Sequence, residues 1–332
     1  MKLAVVIPAY NFSHYIGATL RTVTTQTLAD FEVIVVDDGS KDDTANVARE
    51  ALADFNGPWT IVSQSNAGLP AARNAGWKAT QAEWIQFLDA DDFLAPQKLE
   101  LQLNVAADLA PDVACVSSPW REVAIDGDVV RTVRDIDCST FPDQPTELEV
   151  LAKGPLLTLG QSLFRRDWVV EVGGFDPALR VDEDQDFYLR LARKGARQVI
   201  VPSDAPLFFW RQQLKRRLGG AGARWPAVDL TEQFVGHLLR ITNGDLSALD
   251  QLSSVDRATL IRRCSSYMRL LYRYDRPRFR QRLSQLDAMF GQFIPTDPSY
   301  LTALSRVVGF ERAETVASIY RTAKRLTGEP SY

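Results

Sequence analysis

The chain has 332 residues, 45% hydrophobic and 24% charged, and a net charge of −4. That suits one large α/β domain of about 200–250 residues with an extension, or two domains. Three scattered cysteines (Cys115, Cys138, Cys264) exclude a disulfide framework or zinc site, two histidines exclude a multi-His metal centre, and the apolar runs are too short to span a membrane.

The cysteine usage implies a reduced, cytoplasmic setting. Charge is uneven along the chain: residues 1–204 carry −13 and residues 205–332 carry +9. An acidic front and a basic tail suggest two regions with different partners.

In chain order, the apolar run Leu3–Ile7, ending at Pro8, predicts a first strand; it is too short for a signal peptide. Helical spacing over residues 14–27 follows, with Ser13 as N-cap. The β-branched run Phe31–Val36 predicts a strand buried on both faces. It ends in Asp37-Asp38-Gly39-Ser40, where Ser40 and Asp43 resemble a capping box opening a helix to about residue 54. Trp59–Ser63 predicts a third strand, Ser65–Pro70 a loop, Ala71–Thr80 a helix, Trp84–Leu88 a fourth strand and Pro96–Ala107 a helix. Val113–Ser117 predicts a fifth strand, and residues 120–145 are turn-rich with weak strands around Asp126-Gly127-Asp128. Leu159–Phe164 reads as a strand, Asp167–Val172 as a short helix, Gly173-Gly174 as a tight turn and Asp184–Lys194 as a helix. Val199–Val201 and Leu207–Trp210 read as strands, and helices dominate from about Trp225.

Strands alternating with helices in this way predict βαβ units and a mainly parallel sheet with helices on both faces. Ligands of such sheets bind at the carboxyl ends of the strands. Three acidic clusters fall where one site would need them.

The first is Asp37-Asp38, which could accept hydrogen bonds from a ribose or base, or simply cap the next helix. The second is Asp89-Ala90-Asp91-Asp92, closing the strand Trp84–Leu88. Carboxylates at a strand's end repel one another, and a hard divalent cation, Mg²⁺ or Mn²⁺, relieves that. The alternative is a surface turn in which Asp92 caps the helix at Pro96-Gln97-Lys98. The third is Asp182-Glu183-Asp184-Gln185-Asp186, opening a helix. Four acids in five residues exceed what a cap needs, and their repulsion should raise at least one pKa, as a general base requires. Between them, in Asn66–Gly76, Arg73 falls in the first turns of a helix, where it could bind phosphate or be an ordinary surface arginine. The chain has neither GxGxxG nor GxxxxGK[ST].

These pieces resemble the inverting glycosyltransferases of family 2, which have a GT-A fold. The matching stretches are VVIPAYN at 5–11, VIVVDDGS at 33–40, NAGLPAARNAG at 66–76, FLDADD at 87–92, GGFDPAL at 173–179 and EDQDFYLRL at 183–191. The resemblance covers about residues 1–210 and implies a nucleotide-sugar-binding catalytic domain there; it hardly constrains the irregular 118–160 segment and the helical region over 211–332, from which acceptor specificity, membrane-surface or oligomer contacts are expected.

It implies the following roles. Pro8 and Tyr10 line the base pocket, Asp38 binds base or ribose, Asn66 and Arg73 hold the diphosphate, and Asp89 binds ribose. Asp91 holds Mn²⁺ or Mg²⁺, and Asp184 is the catalytic base; Asp92 and Asp186 support them. The implied reaction moves a sugar, most often from a UDP-sugar, to a glycan or lipid-linked acceptor hydroxyl in polysaccharide assembly, with inversion.

No Ser or Cys nucleophile is then needed, and His14 reads as structural or exposed. Gln213-Leu214-Lys215-Arg216-Arg217 lacks the Trp of the processive synthases' Gln-x-x-Arg-Trp motif, which favours single addition. Lys215-Arg216-Arg217 and the arginines between 257 and 282 could meet anionic lipid at the inner face of the membrane or serve dimerisation. They could equally be solvated charges on amphipathic helices whose Leu260, Ile261, Met268, Leu270 and Leu271 pack inward. Nucleic-acid binding is not expected. A non-catalytic sugar-nucleotide-binding module, or a scaffold acting through the basic tail, are the other functional classes.

Overall fold

The computed structural model describes residues 1–126, 129–154, 157–212, 224–295 and 299–326. The chain divides into two compact units, one of residues 1–150 and 154–217 and the other of residues 151–153 and 218–332.

The first unit is built on a seven-stranded sheet. Its strands are β1 (Leu3–Ala9), β2 (Glu32–Asp37), β3 (Trp59–Ser63), β4 (Trp84–Phe87), β6 (Val113–Ser117), β9 (Ser162–Arg165) and β10 (Arg197–Ile200). They lie in the order β10-β6-β9-β4-β1-β2-β3. Every residue of β1 is buried, as an unbroken apolar strand covered on both faces must be. It pairs in parallel with β2 on one side and β4 on the other. The crossover helices are α1 (Ile16–Thr24), α2 (Thr44–Leu52), α3 (Leu69–Lys78) and α4 (Lys98–Ala106); α5 (Glu147–Lys153), α6 (Arg166–Glu171) and α7 (Glu183–Arg193) follow along the chain.

Strand β9 departs from the parallel rule: it inserts antiparallel between β4 and β6. The expected strand Leu159–Phe164 is therefore a 3-10 turn, Leu159–Gln161, followed by β9.

A second, four-stranded sheet was not expected. The hairpin of β7 (Trp120–Asp126) and β8 (Val129–Ile136) carries β11 (Phe208–Gln212) and the short β5 (Phe93–Leu94) alongside, in the order β5-β11-β7-β8. Apart from the hairpin itself, its strands come from distant parts of the chain, and no local pattern records the pairing of β5, β11 and β7. Gly127 and Asp128, part of the turn expected there, lie outside the described residues.

Two predicted helix caps are corrected. Helix α1 starts at Ile16 behind Tyr15, and the Ser13 N–H instead donates to Asp42 Oδ2 at 3.1 Å. Helix α2 starts at Thr44 behind Asp43. The Ser40 hydroxyl accepts from the Asn11 N–H at 3.0 Å while its own N–H donates to Asp37 Oδ1 at 3.0 Å. Both serines thus tie neighbouring loops together, a long-range use of the same hydroxyl and amide groups that capping would have used locally.

Helix α3 lies against β1 through Gly76. A Cβ there would stand 2.2 Å from Val6 Cγ1 and 3.2 Å from Val36 Cγ2. Both valines are rigid at χ1 and fully buried, so they cannot yield. Gly76→Ala is expected to destabilise the protein by about 1–3 kcal/mol through overpacking, read by urea unfolding. A neutral or stabilising effect, as helix propensity alone would give, would contradict this packing.

The second unit is helical: α8 (Arg224–Thr242), α9 (Ser254–Tyr274), α10 (Arg276–Phe290), α11 (Ser299–Val308) and α12 (Phe310–Leu326). Phe234, Leu260, Met268, Leu271, Phe279 and Phe293 form its core, and Ile261 and Leu270 are half-buried. Several of its arginines meet acids of the same unit: Arg257 with Asp250 at 2.7 Å, Arg280 with Glu311 at 2.8 Å and Arg282 with Glu232 at 2.7 Å. These pairs hold part of the basic surface in fixed positions, while the net excess of basic residues over acids remains. The stretch Gln213–Arg217 lies outside the described residues. Among the described residues, no helix is long and apolar enough to cross a membrane.

Candidate active site

Strands β1, β2 and β4 run in parallel, so the segments that follow them emerge on one edge of the sheet. Pro8 is buried inside β1, opposite Val36, and Tyr10 just beyond it is 38% exposed. Asp38, after β2, is 3% exposed. Its Oδ1 accepts from Gln64 Nε2 at 2.7 Å and the Ala67 N–H at 2.8 Å, and its Oδ2 from the Gly68 N–H at 2.9 Å. It therefore shapes the 64–68 loop in which Asn66 stands exposed. Gly39 makes the turn possible: its φ is +76°, and a Cβ would stand 2.8 Å from the Asn66 nitrogen.

Arg73 is no surface arginine. It lies within α3 at 3% exposure, and its guanidinium joins two distant acids. Nη2 donates to Asp89 Oδ1 at 2.7 Å and Nη1 to Glu183 Oε1 at 2.5 Å. The ring of Phe175 lies 5.4 Å from its guanidinium carbon. A buried cation between two carboxylates stays charged, and its pKa is raised even though burial, the largest influence, opposes this. Its Nε–H finds no acceptor among the described residues.

The acids after β4 differ in setting. The Asp89 side chain is 41% exposed, Asp91 is half-buried and Asp92 is 2% exposed. Asp92 does not cap α4, whose N-cap is Gln97; its Oδ1 accepts from the Arg211 N–H of β11 at 2.8 Å. Burial, followed by the charges of Asp91 and Asp89, pushes its carboxyl well above the usual range.

This crowding of hard oxygen donors is what a divalent cation relieves. Mg²⁺ and Mn²⁺ sites commonly take one or two carboxylates and complete their shell with substrate phosphates and water. Among the described residues, no three His, Cys, Asp or Glu side chains close on a metal centre by themselves. Asp91, half-buried beside Asp89 and Asp92, is a hard oxygen donor of the kind such a cation takes.

The third acidic cluster opens α7 (Glu183–Arg193), behind Asp182 in the left-handed region at φ +60°. Asp184 is half-buried and its Oδ1 accepts from the Gln185 N–H at 2.8 Å. Its pKa is pushed up to about 7 by burial and by the charges of Glu183 and Asp182, against the pull of Arg73 and the Gln185 N–H. Asp186 instead pairs with Arg190 at 2.8 Å. Through Arg73 the structure brings Asp89 and the helix carrying Asp184 together, although Arg73 and Glu183 are 110 positions apart.

Two contributors escaped the sequence reading. Glu183 was visible only as one acid among four. Asn74 clamps the Gly173–Phe175 turn to α3: its Nδ2 donates to the Phe175 carbonyl at 2.6 Å, and its Oδ1 accepts from the Phe175 N–H at 2.9 Å and from Trp77 Nε1 at 2.9 Å. Its place in the NAGLPAARNAG stretch was the only signal. Exposed His14 is not part of this arrangement.

The chain is 28% identical over 193 residues to an uncharacterized glycosyltransferase of Haemophilus influenzae, covering 58% of this chain and 62% of that one. It is 32% identical over 196 residues to the chondroitin synthase of Escherichia coli, covering 58% of this chain and 27% of that one. It thus spans less than two thirds of the length of these relatives. Among solved structures, S. aureus TarS (residues 1–349) superposes with a TM-score of 0.60 at 18% identity, over 97% of this chain and 92% of that one. The mannosyltransferase PcManGT of Pyrobaculum calidifontis, in complex with GDP-Man and Mn²⁺, superposes with a TM-score of 0.53 at 20% identity, over 99% and 88%. These likenesses establish a GT-A type fold. The family model for glycosyl transferase family 2 matches residues 4–173, and the chain belongs to that family.

Proposed function

We propose that this chain transfers a sugar from a nucleoside-diphosphate sugar to an acceptor hydroxyl, in one displacement that inverts the anomeric carbon, as a step in surface polysaccharide or glycan assembly. The observation that carries this reading is the Asp89–Arg73–Glu183 ion triad, which sets the acids after β4 beside the first turn of α7, where Asp184 lies. Support for the donor class comes from solved relatives: TarS in complex with UDP and with UDP-GlcNAc, and PcManGT with GDP-Man and Mn²⁺. UDP-sugars are the donors favoured here.

In this reading Pro8 and Tyr10 border the base, Tyr10 by stacking its exposed ring. Asp38 and Asn66 fix the loop that meets base and diphosphate, and Asp89 meets the ribose. Arg73 holds Asp89 in place and keeps positive potential near the diphosphate. Asp91 would hold Mn²⁺ or Mg²⁺, which supplies charge neutralisation for the departing diphosphate. Asp184 takes the proton from the acceptor hydroxyl as its oxygen bonds to the anomeric carbon and the carbon–oxygen bond to the diphosphate breaks. A carboxylate whose pKa is pushed up to about 7 is basic enough for that proton and still largely ionised just above neutrality.

The test is thermal shift against UDP, GDP, TDP and their sugars, with and without Mn²⁺. One nucleotide should stabilise the fold by about 3 kcal/mol at a hundredfold excess over its Kd, in a Mn²⁺-dependent manner that Asp91→Asn removes. No shift with any nucleotide, in a sample that melts cooperatively, would overturn the proposal.

A further inference from the structure

Strands β6 and β10 are parallel neighbours, and β9 runs antiparallel to both β6 and β4. The carboxyl ends of β6 and β10 therefore open on the same edge as those of β1, β2 and β4, where the acids gather. Between those two ends lies a cleft of about 560 Å³, within the range of small-ligand sites. Strands are spaced by about 4.8 Å. The cleft, two to three positions from β4, is thus about 10–14 Å along the edge from the Asp89–Asp91 turn.

Its lining is selective. Pro119 and Pro202 provide ring faces and Ile200 an aliphatic side chain, and Asp137, Ser139, Ser203 and Asp204 provide oxygen acceptors and hydroxyls. No lysine or arginine lines it among the described residues. Asp137 is held in place by Ser139, whose hydroxyl and N–H donate to its two oxygens at 2.6 and 2.8 Å. The same bonds keep its pKa below the ordinary carboxylate range. Asp204 is exposed at the rim.

A fixed carboxylate such as Asp137 accepts hydrogen bonds from vicinal hydroxyls, and the two carboxylates together repel anions, while proline rings pack against the C–H faces of pyranoses. The cleft belongs to neither the donor residues nor the acids of α7, yet shares their edge.

We infer that this cleft is the acceptor subsite and that it takes the penultimate units of an uncharged glycan, excluding uronate or phosphodiester polymers. The inference rests on the proposed transferase reading and adds the acceptor's class to it. An acceptor seated here runs along the sheet edge and presents its terminal hydroxyl toward Asp184.

The test follows the methyl resonances of Ile200 and Val201 in the full chain saturated with UDP and Mn²⁺. The probes are maltotriose, cellotriose and chitotriose on one side and trigalacturonate on the other. At least one neutral trisaccharide should shift these resonances saturably in the wild type, while trigalacturonate does not. In Asp137→Lys/Asp204→Lys that affinity should fall about tenfold or more, as expected for lost bonds to charged acceptors, and trigalacturonate should gain binding. Both positions are exposed, and UDP thermal shift checks that the variant keeps its fold and donor site. The inference is overturned if all three neutral probes leave the methyls unmoved, if the double variant binds them as the wild type does, or if the wild type prefers trigalacturonate. Any of these with nucleotide binding intact removes only the subsite; failure of UDP, GDP and TDP alike to bind the wild type removes the transferase reading itself.

Discussion

Asp184→Asn is expected to leave nucleotide binding intact and to lower the transfer rate by about 10²–10⁴, the usual contribution of a general base. Asparagine keeps the shape and can still accept from the Gln185 N–H, but it cannot take the acceptor's proton. For the wild type, transfer should rise with pH through about 7, because only ionised Asp184 is competent and its pKa is pushed to that value by burial and by Glu183 and Asp182.

The same shift predicts a stability effect of definite sign. Asp184 binds its proton more tightly folded than unfolded, so it imposes no penalty below about pH 4. Its ionisation costs progressively more as pH rises, and the full cost is reached above about 7. Asp184→Asn escapes that cost, so its melting temperature should exceed that of the wild type at pH 8 and converge with it at pH 4. An inactive variant that is more stable at neutral pH is the signature of a carboxylate kept for chemistry. Unchanged turnover would remove Asp184 from the base role, and equal melting curves at all pH values would remove the raised pKa.

Arg73→Met should be the most destabilising single change near the site, costing about 3–5 kcal/mol. It strips the partner from buried Glu183 and leaves two carboxylates facing each other. Arg73→Lys keeps the charge but loses the fork that reaches both acids, and should fall between. Adding Glu183→Gln to Arg73→Met removes the uncompensated charge and should recover part of the loss. Because the Arg73 charge also holds the Asp184 pKa down, the pH–rate profile of Arg73→Lys should stay near that of the wild type, and that of Arg73→Met should move to higher pH. Urea unfolding and pH-resolved kinetics check both. A loss below about 1 kcal/mol, the ordinary size of a surface substitution or less, would mean that the triad is not a structural link.

Strands β1, β2 and β6 could be read from the sequence because each is a local apolar or β-branched run; β1 and β2 appear within a residue or two of their expected ends. The same holds for the acidic clusters. Charge density within five residues is a local property, and the repulsion predicted for residues 182–186 emerges as the raised pKa of Asp184. Which group would hold the clusters together was not legible. Arg73 shows the same letters as a solvent-facing helical arginine, and its burial depends on Asp89 and Glu183 arriving from β4 and α7. The caps at Ser13 and Ser40 failed for a related reason: distant loops claimed the groups that local rules assign to helix ends.

By itself, the sequence determined the alternation of strands and helices, and with it the edge on which the acids must emerge, because periodicity and strand direction are set by neighbours in the chain. Only the tertiary structure decided that β9 turns antiparallel, that β5, β11, β7 and β8 form a second sheet, and that one buried arginine joins two acidic clusters. These depend on pairings between segments scores of residues apart, whose free energy exists only once the intervening chain has folded between them.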